Sequence, residues 1–100
     1  MRIIARAALR EFWESSPAYT DSKTPLVEWY RHLEKSTYHT PQDLKRVLRT
    51  ASTLKGARVV FNIGGNKYRV VVAIDYLRQL GFIRFVGTHA QYDQINAETV

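Results

Sequence analysis

Apolar residues recur along this chain at two different periods, and the change from one to the other falls at Arg58. Before it the spacing is helical. Residues 2–4 are a short apolar run suited to an edge strand. From Ala5 onward, Ala5, Ala8, Leu9, Phe12 and Trp13 recur three and four apart, with Arg6, Arg10, Glu11 and Glu14 opposite them. This pattern predicts an amphipathic helix. Ser15-Ser16-Pro17 ends it, because proline disfavours helical geometry in the residue before it. A second helix is predicted from about Ser22, with Pro25 in its first turn, where the missing N–H goes unused. Its stripe is Leu26, Tyr30 and Leu33, joined by Val27 and Trp29. Residues 38–40 link to a short third helix, with Thr40 as N-cap, Pro41 in the first turn and Asp43 near the positive end of the dipole. Leu44, Val47 and Leu48 are expected to face inward, and Lys45, Arg46 and Arg49 outward. Residues 50–56 read as loop, with Lys55 exposed.

From Arg58 the period is two. Strands are predicted over 58–63, 67–74 and 82–86, with Gly64-Gly65-Asn66 as a hairpin turn and Leu80-Gly81 as the second turn. Thr88 then caps one or two helical turns over 89–95, and the last five residues are expected to fray. No repeat, low-complexity tract or linker divides residues 1–100, so one domain is expected. The class is α+β: N-terminal helices packed on one face of a small, mainly antiparallel sheet, with a short C-terminal helix.

Composition leaves that picture unchanged, since 45% hydrophobic and 24% charged residues are ordinary for a globular domain. The lack of cysteine excludes disulfides and thiolate metal sites and fits a reducing cytosol. The opening MRIIARAAL is too short and too broken by arginine for a signal peptide, and no stretch approaches the ~20 apolar residues of a membrane span. Charge adds more. The formal net charge is +6, and residues 44–69 hold seven basic side chains and no acid. An ordinary solvated face would interleave both signs; this stretch has the footprint of a phosphate-binding surface.

Alternation places Tyr68, Val70, Val72 and Ile74 on one face and Arg69, Val71, Ala73 and Asp75 on the other; in the last strand Phe82, Arg84 and Val86 oppose Ile83 and Phe85. An arginine between strand valines must reach water, an acid such as Asp75, or an anionic ligand, because an unpaired buried cation is costly. His89, Tyr92 and Asp93 stand at i, i+3 and i+4, so a helix brings them to one side. Two accounts fit this spacing. In one, Asp93 orients the His89 imidazole for acid–base work, with the Tyr92 phenol in the same space. In the other, His89 and Asp93 are a surface pair and Tyr92 packs. His32, His39 and His89 lack metal-ligand spacing. Gly64-Gly65 lacks the rest of a phosphate-loop motif, and no serine sits in a nucleophile elbow. The aromatic residues of the first two helices stand at core spacing.

The segments VFNIGGNKYRVV (60–71) and IRFVGTHAQYD (83–93) resemble the HigB family of the RelE-like toxins of toxin–antitoxin systems, and the likeness in length and element order extends over nearly the whole chain. The resemblance implies an mRNA interferase that cuts messenger RNA during translation on the ribosome. It also implies a cognate HigA-like antitoxin with a helix-turn-helix domain, through which alone the complex would reach DNA. A cytoplasmic location and a reaction without cofactor or metal are expected alongside. On the matching positions, Arg69, His89, Tyr92 and Asp93 are the expected catalytic set. Charge and face add Lys45, Arg46, Arg49, Lys55, Arg58, Lys67 and Arg84 as RNA-binding residues. Two alternatives use the same surface: a non-catalytic basic nucleic-acid-binding module, and an interaction domain that meets an acidic protein.

Overall fold

The apolar stripes of the first helices need a common surface to cover, and a sheet supplies it. The computed structural model describes residues 1–100. In chain order it holds β1 (Arg2–Ile4), α1 (Ala7–Glu14), α2 (Lys23–Lys35), α3 (Pro41–Val47), β2 (Ser52–Thr53), β3 (Arg58–Ile63), β4 (Tyr68–Asp75), β5 (Leu80–Thr88) and α4 (His89–Tyr92). The sheet order is β1-β5-β4-β3-β2, with β1 parallel to β5 and every other pair antiparallel. Leu9 and Phe12 of α1 and Leu26, Trp29 and Leu33 of α2 pack on Phe61, Ile63, Tyr68, Val70 and Val72. Burying each such side chain contributes roughly 1.5–3 kcal/mol.

Several boundaries differ from the sequence expectations, each for a local reason. Ala5 takes a positive φ of 71° and turns the chain, so α1 starts two residues later than the apolar spacing suggests. Pro17–Ser22 forms a 3-10 turn, capped by the Ser16 hydroxyl, that accepts the Ala18 N–H. Val47 is 60% exposed rather than inward: α3 is too short to need more than Leu44 and Leu48 as its apolar contacts. The expected loop 50–56 contains the two-residue edge strand β2. The β4–β5 turn lies before Leu80, where Asp75 accepts the Arg78 N–H at 3.0 Å and Gln79 adopts a positive φ. Gly81 is a strand residue instead; a Cβ there would stand 3.0 Å from Ile3 and 3.2 Å from Val72, against the close approach of β1.

Two corrections bear on the site. A bulge between Val71 and Val72 leaves Arg84 as the extra residue of β5, since Val71 pairs with Phe85 and Val72 with Ile83. Simple alternation therefore fails: Ile83 and Val86 both join the helix-side core, while Phe85 packs on the other face. The last residues do not fray. Val60 and Val71 face away from the helices and need a cover, which Ile95, Ala97 and Val100 supply. The Arg58 guanidinium holds this arm in place, donating to the Val100 carbonyl at 2.7 and 3.1 Å.

Candidate active site

Arg69 lies on the sheet face opposite α1 and α2, flanked in register by Asn62 and Gly87. Only 7% of it is exposed, yet no carboxylate meets it. Asp75, the acid nearest along the strand, is engaged by Arg78. The Arg69 guanidinium instead folds back on the hairpin turn. Nη1 donates to the carbonyls of Asn66 (3.0 Å) and Tyr68 (3.2 Å), and Nη2 donates to the Asn66 side-chain oxygen at 2.6 Å. A guanidinium has five N–H groups, so Nε and one Nη2 hydrogen remain without a protein acceptor. The Tyr92 ring stands 5.9 Å from its central carbon.

The His-Tyr-Asp group is built by α4. Thr88 and Gln91 form a capping box: the Thr88 hydroxyl accepts the Gln91 N–H at 3.1 Å, and Gln91 Oε1 accepts the Thr88 N–H at 2.9 Å. The His89 N–H donates to the Lys67 carbonyl at 3.1 Å, which ties the helix start to the same turn that holds Arg69. Gly87 leaves room for this junction, since a Cβ there would come within 2.5 Å of the Phe85 ring and 2.8 Å of Gln91 Oε1. The i, i+4 spacing brings His89 Nδ1 to 3.4 Å from Asp93 Oδ2, with both side chains about half exposed. Tyr92 leans its ring on Phe85, between that residue and Arg69. Arg69 thus stands beside Tyr92, and His89 pairs with Asp93, where α4 meets the β3–β4 turn.

The other cations divide into two groups. Lys67 forms an ion pair with Asp21, which also accepts the Tyr68 hydroxyl. These two donors hold the Asp21 carboxyl below the usual carboxylate range, and Asp21 in turn raises the Lys67 ammonium; burial first, and then Asp21, raises the Tyr68 phenol. Lys45 donates to the carbonyls of Arg49 and Ala51 and so closes the end of α3. Arg58 secures the C-terminal arm. These three are committed within the fold. Arg46 has only a long contact to Asp43 at 3.5 Å, and Arg49 and Lys55 have no acidic partner. With Gln42, Lys45 and Thr53, Arg46 and Arg49 line a shallow polar depression beside β2. That edge lies two strands from β4, about 10 Å across the sheet. Arg84 is exposed on the bulge, with its guanidinium 6.0 Å from the Phe82 ring.

Residues 22–95 match the model of the HigB_toxin family, described as the RelE-like toxic component of a toxin–antitoxin system. The chain belongs to this family. It is 34% identical over 99 residues to the mRNA interferase toxin HigB of Escherichia coli, covering 97% of this chain and 92% of that protein. The Shigella flexneri mRNA interferase HigB is equally similar, and an mRNA interferase HigB of another Escherichia coli strain is 26% identical over 97 residues, 95% of this chain and 91% of the relative. In this HigB-type chain, sequence reasoning missed Asn66, which holds Arg69, and Asp21, which holds the hairpin. Asn66 reads in sequence as turn punctuation. Asp21 is distant along the chain, and no spacing rule links it to Lys67.

Proposed function

We propose that this chain is the endoribonuclease toxin of a type II toxin–antitoxin system, an mRNA interferase that cleaves through the substrate's own 2′-hydroxyl. In that step the 2′ oxygen attacks the adjacent phosphorus, its proton passes to a base, the bond to the 5′ oxygen breaks, and that oxygen takes up a proton. The products are a 2′,3′-cyclic phosphate and a 5′-hydroxyl. His89 is the principal acid–base group and Asp93 orients it, with Tyr92 beside the transferring proton. Arg69 stabilises the charge that gathers on the phosphorane. The observation that carries this assignment is a buried arginine with two uncommitted N–H groups and no counter-ion, beside a histidine–aspartate pair on the same platform. Arg46, Arg49, Lys55 and Arg84 supply the surrounding contacts to RNA, and Lys45, Arg58 and Lys67 add to its positive potential. The substrate is messenger RNA on the ribosome in the cytoplasm. The partner is a HigA-like antitoxin whose helix-turn-helix domain carries the complex to DNA.

The test is end-group analysis of cleaved RNA, together with His89→Ala. Cyclic or 3′-phosphate ends with 5′-hydroxyls are expected, with EDTA having no effect on cleavage of isolated RNA, and His89→Ala is expected to lower cleavage about 10²–10⁴-fold with RNA affinity nearly unchanged. Ends bearing 5′-phosphate refute the mechanism. Equal loss of affinity and cutting in His89→Ala favours a non-catalytic RNA-binding module.

A further inference from the structure

A groove of about 470 Å³ runs between α1 and α2 and contains none of the residues assigned above to catalysis or RNA binding. Its apolar lining includes Trp13, Val27 and Tyr30, and its polar lining is Arg6, Arg10, Arg31 and Glu34. Three arginines against one glutamate leave it cationic over an apolar floor. Arg31 has no acidic partner, and Arg10 has only the exposed contact to Glu14. We propose that this groove is the docking surface for an acidic, amphipathic segment of the antitoxin, with apolar side chains on Trp13 and Val27 and carboxylates on Arg6, Arg10 and Arg31.

The lining separates this occupant from the others. RNA would need exposed ring faces to stack on, whereas Arg6 already stands 4.7 Å from the Tyr30 ring. The groove also lies outside the acid-free stretch 44–69 that marks the RNA-facing charge. A second copy of the chain would set arginine against arginine. A peptide with carboxylates and leucine-like side chains satisfies both rim and floor, and arginine and tryptophan are the side chains on which interface energy concentrates. Docking there leaves Arg69 and His89 uncovered. The proposal rests on family membership and not on the cleavage mechanism.

The test replaces Arg6, Arg10 and Arg31 together by Gln and measures binding of the purified cognate antitoxin by calorimetry, alongside RNA cleavage and a thermal melt. Antitoxin affinity is expected to fall about thirtyfold or more, with cleavage within about twofold of the parent. A triple Lys variant keeps the charge and is expected to recover most of the affinity. A photo-crosslinking side chain at position 27 of the otherwise unaltered chain is expected to capture the antitoxin, whereas one at exposed position 55 is not. Unchanged antitoxin affinity in the Gln variant overturns the proposal, as does reduced cleavage with antitoxin binding intact, which assigns the groove to RNA. If the Gln variant melts early, the position-27 crosslink decides: its absence overturns the proposal whether or not the chain cuts RNA.

Discussion

Arg69 is held by oxygens that carry no full charge, and this determines what its guanidinium offers a phosphate. A carboxylate partner would neutralise it; the Asn66 and Tyr68 carbonyls and the Asn66 amide oxygen orient it and leave its charge available. The planar fork matters as much as the charge, because two phosphate oxygens are bound by parallel N–H groups only in that geometry. Arg69→Lys keeps the charge and loses the fork, so kcat is expected to fall about 10²-fold, near the effect of removing one oxyanion donor. Asn66→Ala leaves Arg69 in place but frees its head; kcat is expected to fall less, about tenfold, with KM nearly constant. Single-turnover cleavage of a defined RNA measures both, and a pure rise in KM with kcat intact assigns Arg69 to substrate binding alone.

At the scale of elements, the β3–β4 turn is the shared mount of the site, since it holds Arg69 through Asn66 and α4 through the Lys67 carbonyl. Asp21 clamps this turn to the 3-10 segment through Lys67 and Tyr68. The depressed Asp21 carboxyl gives a contribution that is present above its ordinary value of 3.8 and lost as pH falls through its lower folded value. The raised Lys67 and Tyr68 groups contribute below their ordinary values of 10.5 and 10.0 and cease to contribute as pH rises through the higher folded ones. Asp21→Asn is therefore expected to lower the melting temperature across the middle pH range, and the gap from the parent should close in strong acid. A gap that persists unchanged in strong acid, well below the ordinary value of 3.8, shows that the ionised carboxylate is not responsible. The strands other than β2, the hairpin and the Thr40 and Thr88 caps were legible in sequence, because period, turn residues and capping chemistry are local signals. The bulge at Arg84 was not, since register is decided between strands; nor was the C-terminal arm, whose Ile95, Ala97 and Val100 follow no single period and are fixed by the valines they cover.

Across the whole molecule the same contrast governs charge. Sequence shows how many cations lie in 44–69 but not what each one faces. Lys45, Arg58 and Lys67 face backbone carbonyls or Asp21, so of the seven residues expected to bind RNA, Arg46, Arg49, Lys55 and Arg84 are left without a close partner. With four phosphate contacts the log–log slope of RNA affinity against salt is expected near −3, at about 0.7 per contact for a single strand. Replacing Arg46 and Arg49 by Gln should make it shallower by about 1.4, whereas Lys45→Gln should act on stability instead. Filter binding from low to moderate salt checks this, and an unchanged slope in the double variant places the RNA path away from α3.

The parallel pairing of β1 with β5 sets the order in which the sheet can be completed. Arg2 meets Leu80 and Ile4 meets Phe82, so β1 has no partner until synthesis has passed β5. Such long-range pairing is slow and makes completion of the sheet a late event. His89 and α4 follow directly on the strand that β1 awaits. The cations of α3 and the helices themselves can thus be in place while the candidate site, mounted on α4, still waits for the pairing of widest separation in the sheet.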